Sequence, residues 1–376
     1  MASRFPVLSV NGPRQSGKTT LCKTVFKDYE YVSLENPDFR KFALSDPKGF
    51  LNQYNTYVIL DEVQNAPELF SYIQGIVDES NINGQYILSG SQNFLLSQNI
   101  SQYLAERIYI FHLLPLSLEE LKPTAYYFDN INDHIFHGGY PRIYNNDISP
   151  IDFYPSYIQT YLERDLRNIA NVHDLNTFQQ FIKICAGRIG HLINTNAIAN
   201  QVGITHKTVK SWLSILESSF IIYRLKPWHK NFNKRIIKSN KLYFYDTGLA
   251  CNLLGLKNSE ELDLHFAKGA LFENLIISEF IKNGYNANNA KDLYFWRDNT
   301  GHEVDMVIAD ASQNTFLEMK SSKTINNSFF KNLDYLFRIS KNQNNKRVVI
   351  YGGDNIQKRT NYDIFPWSSL NEIFKS

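Results

Sequence analysis

A glycine-rich run ending in lysine and two threonines is the first place where this chain can do chemistry. Residues 12–20 read GPRQSGKTT, filling the spacing G-x-x-x-x-G-K-(S/T) with Gly12, Gly17, Lys18 and Thr19. Glycine at both positions lets the backbone wrap so that several N–H groups face one anion. Lys18 then reaches the outer phosphates of a triphosphate, and the Thr19 hydroxyl binds Mg²⁺. The expected cradle is Gly12, Pro13, Arg14, Gln15, Ser16, Gly17, Lys18, Thr19 and Thr20. A helix from about Gly17 adds its positive end. Two acids, Asp61 and Glu62, close the apolar run Tyr57–Leu60. A carboxylate there sits at the ligand edge of a parallel sheet. Asp61 is expected to hold Mg²⁺ through water, and Glu62 to orient and polarise an attacking water, their side chains diverging by strand alternation. Ser91, just past the run Gln85–Leu88, is expected at the γ-phosphate, with Asn93 as the other candidate. A helix cap is the plainer role for either.

Two more constellations lie downstream. Glu318 and Lys320 stand two apart in FLEMK, so a strand points both to one face. Asp305, in GHEVDMVI, is on the preceding strand, and a turn near Ser312 brings the two strands side by side. Glu273 lies on the apolar face of a helix over 269–282. Facing carboxylates repel unless a cation separates them, and an all-oxygen set suits Mg²⁺ or Mn²⁺. Asp305 and Glu318 are the expected ligands and Glu273 an outer one. Lys320 orients or activates water for attack on a phosphodiester. Glu303 is either a further ligand or structural, and an idle, salt-bridged cluster is the competing expectation. Between these sites, residues 194–225 carry a helix-turn-helix pattern. Ile198, Ala199 and Val202 face inward, Gly203 turns, Thr205 caps, and Val209, Trp212, Leu213 and Leu216 face inward again. Residues 218–245 hold no carboxylate but contain Arg224, Lys226, Lys230, Lys234, Arg235, Lys238 and Lys241. DNA phosphate contact is expected from His206, Lys207 and Lys210 on the helix and Lys230, Lys234 and Arg235 on the wing. A solvated hairpin is the alternative.

Short elements must position these groups. Phe5–Val10 reads as the strand feeding the glycine turn, with further strands at Tyr29–Leu34, Tyr57–Leu60, Gln85–Leu88 and Arg107–Leu114. Helical spacing over 154–186 gives a lid or connector. With 376 residues, more than one core is expected. A composition of 43% hydrophobic and 20% charged residues suits a globular chain, and a net charge of +2 means any basic surface is local. Cys22, Cys185 and Cys251 are far apart, which argues against a disulfide framework or zinc site and fits a reducing cytoplasm. No apolar run approaches the ~20 residues that span a bilayer. Met1–Val10 lacks a leader's long apolar segment, so neither membrane nor export is expected.

Taken in order, GPRQSGKTT, LDEVQNAPELF, ILSGSQNFLL, ERIYIFHLLPLSLEE and GGYPR resemble the AAA-superfamily ATPases of bacteria and archaea that carry a C-terminal DUF4143 region. The resemblance implies an additional-strand P-loop fold, ATP with Mg²⁺, and Lys18, Thr19, Asp61 and Glu62 in the roles above. Gly138–Pro141 is similar to a glycine-proline motif that senses nucleotide from the lid in related signalling ATPases; an ordinary turn is the alternative. Glu273, Asp305, Glu318 and Lys320, in helix–strand–strand–strand–helix–strand order, resemble the PD-(D/E)XK nuclease superfamily, including Holliday-junction resolvases. That implies a second Mg²⁺ or Mn²⁺. With Met1–Arg4 alone before the first strand, no adenine-contacting segment is assigned. Arg107, Arg142, Arg164 and Arg188 stay open as an arginine finger, in cis or from a neighbour in an oligomer.

The expected architecture is therefore α/β. A P-loop parallel-sheet ATPase core covers 1–125, a helical lid or connector 126–180, a winged helix 181–246, and a restriction-endonuclease-like α/β domain 247–376. The expected function is ATP binding and hydrolysis, with nucleotide state arranging the later modules on DNA and metal-dependent cleavage as a further step. The rival is a slow ATP-dependent switch or scaffold with an idle nuclease fold that binds DNA or a protein partner.

Overall fold

The computed structural model describes residues 1–90, 102–162, 174–228 and 239–374, with backbone alone at 161 and 162. It divides into two compact units: residues 1–115 with 218–220, and residues 116–217 with 221–376.

In the first unit, β1 (Val7–Asn11), β2 (Glu30–Ser33), β3 (Val58–Asp61), β4 (Tyr86–Gly90) and β5 (Ile108–His112) form a parallel sheet in the order β2-β3-β4-β1-β5. β4 is inserted between the strand that feeds the glycine loop and the strand that ends at Asp61. This is the additional-strand arrangement anticipated above. Side-chain alternation explains the continuous apolar runs. Val7, Val58, Leu60, Tyr86 and Leu88 join Phe70, Ile73 and Val77 on one face, while Leu8, Val10, Ile59 and Ile87 pack with Cys22 on the other. Both faces are covered, so β1, β3 and β4 are mostly apolar until the ligand edge, where Asn11, Asp61 and Ser89 stand. Each fully buried Leu, Ile or Phe stabilises the frame by about 1.5–3 kcal/mol. Parallel strands all end at one edge, and the turn after β1, Asp61 and Ser89 share it.

The second unit holds β6 (Ile222–Pro227), β7 (Lys241–Phe244), β8 (Asp292–Arg297), β9 (Glu303–Ala309), β10 (Thr315–Lys320), β11 (Lys346–Tyr351), β12 (Gln357–Lys358) and β13 (Asp363–Pro366). They build one sheet in the order β12-β13-β11-β10-β9-β8-β6-β7. Trp228, Trp296, Phe316, Leu333, Leu336 and Val349 belong to its core cluster. The long helix Lys268–Asn286 lies against β7 and β10. Ahead of the sheet, helices Thr195–Val202 and His206–Ser218 form as the sequence indicates. Gly203 takes φ 79, Thr205 Oγ1 accepts from the Thr208 N–H at 3.1 Å, and Val209, Trp212, Leu213 and Leu216 are buried. The wing differs from expectation. β6 and β7 do pair as an antiparallel hairpin, but β6 also runs parallel to β8, with Lys226 beside Tyr294 and Pro227 beside Phe295. The wing strands are thus the edge of the C-terminal sheet, which continues across the boundary expected after residue 246. Parallel pairing between distant segments leaves no local sequence signal. No described helix is long and apolar enough to cross a membrane.

Candidate nucleotide site and C-terminal charge cluster

Backbone sterics shape the turn after β1. Gly17 adopts φ 96, and a Cβ on Gly12 would lie 2.0 Å from the Leu113 carbonyl oxygen. Glycine alone fits both positions without moving the chain. Helix Lys18–Val25 follows at once and has no side-chain cap, the state in which an anion can take its first N–H groups. The Lys18 side chain is buried, and its ammonium donates to the Gly12 and Pro13 carbonyls at 3.1 and 2.8 Å. Burial pulls its pKa down to about 8, against the raising fields of Glu62 and Asp61. Ser16 Oγ is buried with no hydrogen-bond partner. A buried cation resting on neutral carbonyls beside an unpartnered hydroxyl is short of negative charge. The residues present therefore fit a triphosphate. Gln15 and Thr20 are exposed at the rim.

Asp61 gathers hydroxyls at the same edge. Its Oδ2 accepts from Thr19 Oγ1 at 2.9 Å and from Tyr31 Oη at 2.7 Å. Its Oδ1 accepts from Ser89 Oγ and, at 3.2 Å, from the Glu62 N–H. Thr19 and Asp61, expected to share Mg²⁺, are thus in direct contact. Burial and then the Asp61 bond push the Tyr31 phenol well up, so it stays a donor. Glu62 does not diverge by strand alternation. β3 ends at Asp61, and Glu62 takes a left-handed φ of 54 that re-aims its side chain. Gln64 Nε2 donates to Glu62 Oε2 and steadies it. Tyr31, Ser89 and Gln64 were missed by sequence reasoning. Ser89 pairs with Asp61 in the β3–β4 register, and Tyr31 lies two before Ser33, the β2 partner of Asp61. Strand register is the signal that finds Tyr31 and Ser89. Ser91, Asn93 and Arg164 lie outside the described residues.

The Gly138–Pro141 turn is buried at its centre, Gly139 and Tyr140. Gly138 takes φ 68 and ψ −158, open only to glycine, and the Gly139 N–H donates to Asp246 Oδ2 at 2.7 Å. Tyr154 Oη lies 2.8 Å from the His137 carbonyl and 2.7 Å from Asp246 Oδ1. Arg107 pairs with Asp78, Arg188 donates to Gln201 at 2.6 Å, and Arg142 is exposed.

In the second unit the structure brings Glu273, Glu303, Asp305, Glu318 and Lys320 into one charged network, together with Lys241. Asp305 Oδ2 accepts from the Met319 N–H at 2.8 Å and lies 3.5 Å from Lys320 Nζ, which is 2.6 Å from Glu318 Oε1. Lys241 Nζ lies 3.1 Å from Glu273 Oε1 and also pairs with Glu303. Tyr243 Oη donates to the same Glu273 oxygen, and Arg297 binds Glu303 at 3.0 Å. Burial and then the Asp305 charge push the Glu318 carboxyl up to about 8. Burial lowers the Lys241 pKa, but Glu273, Tyr243, Glu303 and Asp305 together carry it well above the usual lysine value. The expected metal ligands Glu273, Asp305 and Glu318 are thus bound to lysines. Among the described residues no three His, Cys, Asp or Glu converge as a metal would need. The acids present do not fit a metal centre as they stand.

Of the expected DNA contacts, His206, Lys207 and Lys210 are exposed along helix His206–Ser218. Lys230, Lys234 and Arg235 lie outside the described residues, as does Lys238. Two other members of the basic run are neutralised internally: Arg224 binds Glu217 at 2.7 Å, and Lys241 is buried.

Comparison with known proteins matches the chain in three segments. Residues 4–122 match an AAA domain, 128–260 a domain of unknown function (DUF8612) and 268–370 a domain of unknown function (DUF4143). An uncharacterized protein of Mycobacterium tuberculosis is 28% identical over 327 residues, covering 85% of this chain and 71% of the relative. One of Haemophilus influenzae is 22% identical over 376 residues, covering 91% and 88%. Among solved structures, a Walker-type ATPase of Pyrococcus abyssi aligns at TM-score 0.44 and 14% identity, over 66% of this chain and 91% of that one.

Proposed function

We propose, for a chain that carries an AAA-type P-loop domain ahead of a DUF4143 region, that ATP is hydrolysed at Lys18, Thr19, Asp61 and Glu62, and that nucleotide state governs DNA contact by the second unit. One observation carries the ATPase reading: a buried Lys18 held on neutral carbonyls beside the Thr19–Asp61 pair. Bound Mg²⁺-ATP supplies the phosphoanhydride and the Lewis acid that draws charge from it. The turn from Gly12 to Gly17 surrounds the phosphates with N–H groups, and Ser16 adds a hydroxyl. Lys18 exchanges its carbonyl partners for phosphate oxygens, a stronger charge-assisted bond. Thr19 and Asp61 would hold the magnesium, while Tyr31 and Ser89 keep the Asp61 carboxylate in one orientation. Glu62, steadied by Gln64, orients the attacking water and accepts its proton. Glu62→Gln is expected to slow turnover by roughly 10²–10⁴-fold while ATP binding persists. Turnover equal to wild type refutes the assignment.

DNA contact rests on the exposed His206, Lys207 and Lys210 beside the helix-turn-helix turn. The lysine-bound acids of the C-terminal sheet favour a module that binds rather than cuts. The nuclease reading is tested with branched DNA and Mn²⁺; cleavage by wild type that disappears in Asp305→Ala would establish it. The buried, unbridged Cys22, Cys185 and Cys251 accord with work in a reducing cytoplasm.

A further inference from the structure

We propose that Lys241 is the resident cation of the C-terminal carboxylate cluster, and that it keeps divalent metal out of a latent Mg²⁺ or Mn²⁺ site. The proposal concerns the second unit alone and stands apart from the nucleotide reading.

Four carboxylates, Glu273, Glu303, Asp305 and Glu318, are cross-linked by the cations Lys241, Arg297 and Lys320. A divalent ion at Glu273 and Glu303 would have to share their oxygens with the Lys241 ammonium, and like charges in a buried site repel. The cations are not equal in their freedom to leave. The Lys320 side chain is 35% exposed and that of Arg297 37%, so either can swing into water. The Lys241 side chain is 2% exposed. Its backbone is also pinned: Lys241 pairs with Leu225 on β6 and bridges Leu192, while Tyr243, on the same face of β7, ties down the same Glu273 oxygen. Lys241 therefore takes up Glu273 and Glu303 with no exit.

Removing Lys241 frees hard oxygen donors that can then turn toward a cation. Glu318 Oε2 is already buried with no hydrogen-bond partner, an acceptor waiting for one. Glu273 and Glu303 would each be left with an oxygen to fill, and oxygen donors of this kind select Mg²⁺ or Mn²⁺. The sequence hides the role, because Lys241 belongs to a basic run that reads as a DNA-binding wing.

Mn²⁺ titration of the full-length, nucleotide-free chain, followed by the electron paramagnetic resonance of free Mn²⁺, tests this. Wild type and Glu273→Gln are expected to titrate alike. Lys241→Met, which keeps the length of the stem, is expected to gain one equivalent of bound Mn²⁺ at least about tenfold tighter than any wild-type binding. Adding Glu273→Gln to that variant should remove the gain. Binding in wild type that Glu273→Gln abolishes overturns the proposal, as does a folded Lys241→Met that gains nothing. Should Lys241→Met fail to fold, the comparison of wild type with Glu273→Gln still decides, since equal curves support the proposal and unequal ones refute it.

Discussion

Replacing Lys18 with methionine should stabilise the nucleotide-free first unit while abolishing its response to ATP. Burial holds the ammonium at about 8 instead of the usual 10.5, so keeping it charged at neutral pH costs the fold about 3 kcal/mol. Methionine fills the same channel without charge. It forfeits the bonds to the Gly12 and Pro13 carbonyls, worth about 1 kcal/mol each. The net gain is about 1–2 kcal/mol, a few degrees in melting temperature for a unit of this size. The sign with pH follows from the folded value lying below the unfolded one. The folded chain then binds fewer protons between the two values, so the cost is complete below about pH 8 and fades as pH rises toward 10.5. The advantage of Lys18→Met should shrink across that window. Saturating ATP at about a hundred times Kd adds about 2.7 kcal/mol to wild type and nothing to the variant. Thermal unfolding of both chains, with and without Mg²⁺-ATP and across that pH range, reads all of this. A variant less stable at neutral pH, a gap that does not change with pH, or equal stabilisation by ATP refutes the reasoning.

Three other perturbations separate structural from functional roles. Gly138→Ala puts a Cβ 2.2 Å from Tyr154 Oη at φ 68, so the second unit should lose about 2–3 kcal/mol or more in urea unfolding. Lys282→Met strands the buried Glu279 carboxylate, which now holds Lys282 at 2.9 Å and the Leu118 N–H at 2.7 Å; a loss of about 3–5 kcal/mol is expected by the same measurement. Lys207→Ala combined with Lys210→Ala should weaken DNA binding without regard to sequence and flatten the logarithmic salt dependence by about 0.9 per charge, measured by fluorescence anisotropy. An unchanged slope would remove helix His206–Ser218 from the interface.

Local chemistry was legible in the chain, and long-range pairing was not. Gly12, Gly17, Lys18 and Thr19 announce an anion-binding turn because the bonds that define it run within a few residues. Thr205 and Gly203 announce their helix boundaries for the same reason. Asp61 and Glu62 were recognisable as a pair, but the means of separating them was not, because a left-handed residue after a strand depends on what the chain must reach next. Tyr31 and Ser89 had no reason to stand out. They meet Asp61 only because β2 and β4 flank β3 in register.

The same division holds at the carboxyl end. Glu318 and Lys320 share a face because a strand repeats every two residues, which any sequence of that spacing dictates. Whether those acids are open to metal was decided elsewhere. The parallel seam between β6 and β8 draws the wing hairpin into the sheet and carries Lys241 to Glu273 and Glu303. A lysine's charge is set by its covalent structure; its partner is set by which distant strand lies beside it, and that choice is made by burial of apolar surface over the whole unit.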